Sequence, residues 1–177
     1  MRRGLALLAG LLIVLSLCAC ATEDRVDLPQ LDELRWELLD SSERVERVYI
    51  YHYSTAPFLS IDIEGRELSR EEAFSLVRTV RAMVSEEDFQ RDYYTLRGGE
   101  KGWERTLSGQ YYPDDMYVYV FVKDGLYHFE AQLFSDGTPS TGGKGEVYDG
   151  YSTWWGSFEP YEREDGTRCF THEDICE

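Results

Sequence analysis

Residues 44–53 alternate with a period of two. Tyr49, Tyr51 and Tyr53 point one way, and Val48, Ile50 and His52 the other, which is the signature of a β-strand. Residues 58–64 alternate again, with Leu59, Ile61 and Ile63 on one face. Ser54, Thr55, Ala56 and Pro57 between them read as a turn, so the two runs predict a hairpin. Residues 116–123 and 126–134 are two more alternating runs, joined at Asp124-Gly125, a dipeptide that favours tight hairpins.

The helical period appears twice. Leu31, Leu34, Leu38 and Leu39 recur at helical spacing behind Pro29, which suits a first-turn position, and predict a helix over 29–39. Ser69 with Glu72 forms a capping box ahead of Ala73, Phe74, Leu76, Val77, Val80, Met83 and Val84, predicting a helix that ends near Ser85. Residues 89–96 read as a further strand, 98–115 as a glycine-containing loop and 135–150 as a long loop. Trp154, Trp155 and Phe158 mark a last packed piece before a polar tail. Strands grouped apart from helices predict an α+β fold, an antiparallel sheet with one or two helices on one face.

The first residues follow another rule. Met1-Arg2-Arg3 precedes an uncharged apolar run at 5–17, the layout of a secretory signal peptide. Leu17-Cys18-Ala19-Cys20 resembles the lipobox of bacterial lipoproteins, with Cys18 where Ala or Ser is usual. The resemblance covers about twenty residues and implies cleavage after Ala19 and a diacylglycerol on the Cys20 sulfur, anchoring the protein to a membrane. The expected organisation is therefore a signal peptide at 1–19, a lipidated cysteine and tether at 20–28, one α+β domain at 29–160, and a polar tail at 161–177. The tether, eight residues after Cys20, reaches at most about 28 Å, so the domain is expected on the extracytoplasmic side, close to a cell membrane or envelope.

Charge narrows the partners. Asp plus Glu number 34 against 18 Lys plus Arg, a net charge of −16, which repels nucleic acid and anionic lipid headgroups. Cationic ligands, or proteins with basic patches, fit better; the same charge also serves solubility alone.

Few residues suggest chemistry. Cys169 and Cys176 flank His172 in a C-x2-H-x3-C run. In an oxidising compartment an even pair of cysteines predicts a disulfide; zinc would need a carboxylate as fourth ligand, and elsewhere the thiols are free. His52 and His128 fall in predicted strands without ligand spacing. The glycine run at 137–145 departs from a phosphate loop, since Lys144 is followed by Gly145. No acidic cluster follows the calcium-loop pattern, and no nucleophile elbow or zinc-protease motif occurs. No catalytic residue, metal or cofactor is expected.

Aromatic residues make up 14% of the chain. Tyr49, Tyr51 and Tyr53 share one strand face, and Tyr117 and Tyr119 share another with Phe121. One stripe facing water would offer a flat aromatic surface to a protein, peptide or sugar, rimmed by Trp103, Trp154 and Trp155 from neighbouring glycine loops. The expected role is a lipid-anchored, non-enzymatic binding domain; the alternative is an extracytoplasmic hydrolase-type enzyme with a site assembled from scattered Asp, Glu, His and Tyr.

Overall fold

A computed structural model of the protein describes residues 23–53, 58–135, 147–161 and 167–176, without the side chains of 23–25 and Tyr53. The signal peptide, Cys20, the turn at 54–57 and the glycine run at 137–145 lie outside the described residues.

The fold is α+β. A seven-stranded sheet has the order β1-β2-β3-β4-β5-β8-β9, formed by β1 (Glu23–Arg25), β2 (Val45–Tyr53), β3 (Phe58–Gly65), β4 (Asp115–Val122), β5 (Gly125–Ala131), β8 (Trp154–Pro160) and β9 (Arg168–Phe170). The short strands β6 (Phe134–Ser135) and β7 (Val147–Tyr148) pair separately. Five helices complete the described fold: α1 (Pro29–Asp40), α2 (Arg70–Val84), α3 (Glu87–Gly98), α4 (Gly102–Leu107) and α5 (His172–Cys176).

The expected sheet is antiparallel, and neighbouring strands do run so, with one exception at the centre. There β3 pairs β4 in parallel, Phe58 beside Asp115 through Glu64 beside Phe121. Parallel neighbours cannot be joined by a tight turn and need a long crossover. That crossover contains α2, α3 and α4.

The two helices expected from the apolar spacing are present, and the Ser69–Glu72 capping box closes as predicted. Glu72 N–H donates to Ser69 Oγ at 3.2 Å, and Ser69 N–H to Glu72 Oε2 at 2.8 Å. Residues 89–96 depart from expectation: they belong to α3, where Phe89, Tyr93 and Tyr94 are buried. Their i, i+4 spacing outweighs the strand preference of the aromatic residues. The loop expected at 98–115 contains α4. Gly102 lies so close to α3 that a Cβ there would sit 1.8 Å from the Tyr94 carbonyl oxygen. The hairpin at Asp124-Gly125 is present, yet Gly125 does not supply a left-handed turn residue. It clears space, since a Cβ there would lie 2.6 Å from the Phe158 ring.

Both chain ends of the domain differ from expectation. Glu23–Arg25 of the tether pairs with β2 as β1, and the tail adds β9 and α5, burying Ile175 completely. Phe170 meets Phe74 of α2 at 5.2 Å, with the Arg70 guanidinium 4.7 Å from its ring centre.

One face of the sheet carries Val48, Ile50, Leu59, Ile61, Ile63, Met116, Val118, Val120 and Phe129, all buried in the core with Leu31, Leu34 and Leu38 of α1 and the apolar side of α2. The crossover reaches β4 through Asp114, only 1% exposed. Tyr93 Oη donates to its Oδ2 at 2.5 Å, and Arg97 Nη2 to its Oδ1 at 3.2 Å. Arg97 Nε lies 2.9 Å from Oδ2 but off line for a hydrogen bond, so Nη2 carries the donation. Tyr151 Oη donates to the Asp114 carbonyl at 2.5 Å, and Asp114 N–H to Tyr94 Oη at 3.0 Å. Burial raises the pKa of Tyr93, Tyr94 and Tyr151, keeping all three protonated as donors.

Removing one partner of a buried ion pair leaves the other charge uncompensated, at about 3–5 kcal/mol. Asp114→Ala should lower unfolding stability by about that amount, read as a fall in the urea midpoint; a midpoint within experimental error of the parent would show that the cluster does not hold the crossover to β4.

Candidate functional site

Alternation sends every second strand residue to the other side of the sheet. The pairing aligns Tyr51, Ser60, Tyr117, Glu130 and Trp155 in one row, and Tyr49, Asp62, Tyr119, His128, Ser157 and Cys169 in the next. A third row contains Arg47, Glu64, Phe121, Leu126 and Glu159. Among the described residues no helix or strand packs over these rows. The helices gather on the other side, where Phe74 of α2 meets Phe129 at 5.6 Å and Ile175 of α5 approaches Gly156.

Both predicted tyrosine stripes therefore fall on one open face. Tyr49 is 46% exposed, while Tyr51, Tyr117, Tyr119 and Phe121 are half-buried; the Tyr53 side chain lies outside the described residues. The rings do not form one flat plate. Tyr119 stacks on His128, with centroids 4.7 Å apart and planes at 14°, and packs beside Tyr117 at 6.2 Å and Phe121 at 6.5 Å. Part of each ring surface is spent on its neighbours.

Of the three tryptophans, Trp103 and Trp154 lie away from this face, and Trp155 stands on it beside Glu130 but is buried. Trp154 is completely buried, Trp103 is 9% exposed and Trp155 8%. Trp154 Nε1–H donates to the Tyr151 carbonyl at 2.9 Å, and Trp103 stacks against Tyr94 behind α3. Being large and apolar, Trp103 and Trp154 close the core instead of meeting water, while Trp155 is buried on the tyrosine side of β8, outside that core. Sequence proximity to glycine loops carried no information about this.

Polar groups are set among the rings. Tyr51 Oη and Ser60 Oγ each donate to Asp62, at 2.8 Å. Asp115 accepts from Gln132 Nε2 at 3.2 Å, and burial raises its pKa. Burial, with the carboxylates of Asp115 and Glu130 nearby, also raises the pKa of Tyr117. His128 Nε2 is buried and makes no hydrogen bond, and burial lowers the pKa of its imidazole. The polar neighbours of the tyrosines were not foreseen, because they come from β3 and β5 and meet only through the sheet register.

An acid–base pair does not assemble from the strand histidines. His52 sits opposite Leu59 on the core-facing side, whereas His128 stands on the open face. Among the described residues no group of three His, Cys, Asp or Glu is arranged to hold a metal ion.

Cys169 and Cys176, the pair expected to form a disulfide, are unbridged in this structure. Cys169 is exposed in β9 on the open face, while Cys176 ends α5 on the helix side, half-buried and with its pKa raised by burial. His172 is occupied locally, its Nδ1 accepting the Trp154 N–H at 3.1 Å, and Asp174 accepts the Thr171 N–H at 3.0 Å at the start of α5.

A histidine whose folded pKa lies below its unfolded value resists protonation in the folded state. The unfolded chain then binds more protons as pH falls, so stability declines below the ordinary histidine pKa of about 6.5 until the folded imidazole also protonates. Thermal melts at pH 7.5 and 5.5 should show a smaller acid-induced loss in His128→Gln than in the parent; equal losses would place the acid sensitivity elsewhere.

No family model, curated protein or solved structure matches this chain.

Proposed function

We propose that this chain is a lipid-anchored extracytoplasmic binding protein, non-enzymatic, whose open sheet face receives a protein, peptide or carbohydrate partner. The observation that carries this reading is the union of both tyrosine stripes on one face, with no described helix above it. Exposed aromatic groups with polar handles are favoured at recognition surfaces.

The anchor follows from Cys20 and its lipobox-like setting. Only Ala21 and Thr22 separate Cys20 from β1, and three extended residues span about 10 Å. A domain tethered so briefly stays beside its bilayer. Its sheet enters at the end holding Tyr53 and Phe58, so the strands lead away from the anchor and the tyrosine face is presented sideways. Among the described residues no helix is long and apolar enough to cross a membrane.

Intact mass of protein purified from a bacterial membrane fraction should begin at Cys20 and include acyl chains; a mass beginning at Met1 without lipid would overturn the anchor. A photoreactive benzoylphenylalanine replacing Tyr49 should yield a cross-linked partner in intact cells. The same group replacing Trp36, 65% exposed on helix α1, should yield none, and the reverse pattern would move the binding surface to the helix side.

A further inference from the structure

We infer that the partner of the open face is a basic, extended polypeptide segment whose Lys or Arg side chains lie along the Tyr117–Tyr119–Phe121 column. The inference rests on the reading of that face as the binding surface and adds the chemistry of its ligand.

Charge is distributed unevenly around the column. Asp62 stands beside Tyr119 and Glu64 beside Phe121 on β3, while Glu130 stands beside Tyr117 on β5. Glu159 follows on β8, in the row of Phe121 and Leu126, and Asp115 heads the column itself. Against these acids, Arg47 is the base in the aligned rows, and its Nη1 lies 3.3 Å from Glu64. Arg25 occupies a register position beside Tyr51, offset by Glu23 beside Tyr53. Neighbouring strands are about 4.8 Å apart, so the aromatic column has carboxylates within one or two strand spacings on both sides.

Each part suits a cationic side chain. The long apolar stem of Lys or Arg covers ring surface while its charged head reaches a flanking carboxylate. Aromatic rings attract the cation directly, and the chain's net charge of −16 draws a basic segment toward it. A neutral sugar can donate hydroxyl hydrogen bonds to these acids but gains nothing from their net charge, and an acidic peptide is repelled by them.

The test uses the full-length protein in detergent and a fluorescein-labelled peptide of alternating Lys and Ser, followed by anisotropy against salt concentration. An alternating Glu–Ser peptide and a neutral chito-oligosaccharide are the comparisons. The Lys–Ser peptide should bind and weaken as salt rises, with no binding of the other probes. Glu130→Gln combined with Glu159→Gln should weaken binding about fivefold and flatten the salt dependence, and Tyr119→Leu should weaken it by a similar factor. Glu33→Gln with Glu37→Gln, on helix α1, should change nothing, separating this site from the overall charge. Saccharide binding that is lost in Tyr119→Leu yet insensitive to salt would retain the face and overturn the basic partner. Lys–Ser binding reduced equally by the α1 pair and by the open-face pair would overturn the inference, as would no binding by any probe.

Discussion

The parallel pairing of β3 with β4 is the constraint on which the rest of the molecule depends. Two parallel neighbours need a connection that returns to the starting end of the sheet. Here that return comprises α2, α3 and α4, and it runs over one side only. The same side receives α1 from the N-terminal end and α5 from the C-terminal end, so one face becomes a continuous core of Leu, Ile, Val and aromatic side chains. The opposite face keeps its tyrosines uncovered by any described helix. The candidate site is thus a consequence of how the centre of the sheet is connected, not of a local motif.

A crossover of this length has to be pinned where it re-enters the sheet, and Asp114 does so. Its side chain and backbone gather Tyr93, Tyr94 and Arg97 from α3 and Tyr151 from the segment before β8. Tyr151 has a positive φ of 58°, rare for a side chain of this size, and its hydroxyl reaches the Asp114 carbonyl while its own carbonyl accepts from Ser85 and Trp154. Such a cluster contains displaced tyrosine pKa values and a buried charge, features often taken to mark active sites. Here every member is engaged with another and faces the interior, so the displaced pKa values report burial within a structural clamp.

The open face is the site where charge, aromaticity and exposure coincide. Its hydroxyl and carboxyl groups belong to different strands, and they become neighbours through register alone. A flat sugar-stacking platform would leave ring faces free, whereas Tyr119 spends one side on His128 and the column packs against itself. The surface offered is therefore ribbed and acidic, more suited to side chains that lie between ribs than to a planar ligand spread across them.

The sequence by itself determined what depends on near neighbours in the chain. The period-two runs located the long central strands, the Ser69–Glu72 pair located the start of α2, and the grouping of elements led to an α+β fold. Alternation also placed Tyr49 with Tyr51, and Tyr117 with Tyr119, on common strand faces. It misplaced α3, because Phe89, Tyr93 and Tyr94 satisfy strand preference as readily as helical spacing when their packing partners are unknown. Only the tertiary structure decided that β3 and β4 run parallel, that both tyrosine stripes share the uncovered side, that Trp103 and Trp154 fill the core, and that Cys169 and Cys176 stand on opposite sides of the sheet. The physical reason is common to all four. A residue's period specifies which way it points relative to its own strand or helix, but which elements become neighbours is set by burial and pairing between segments far apart in the chain.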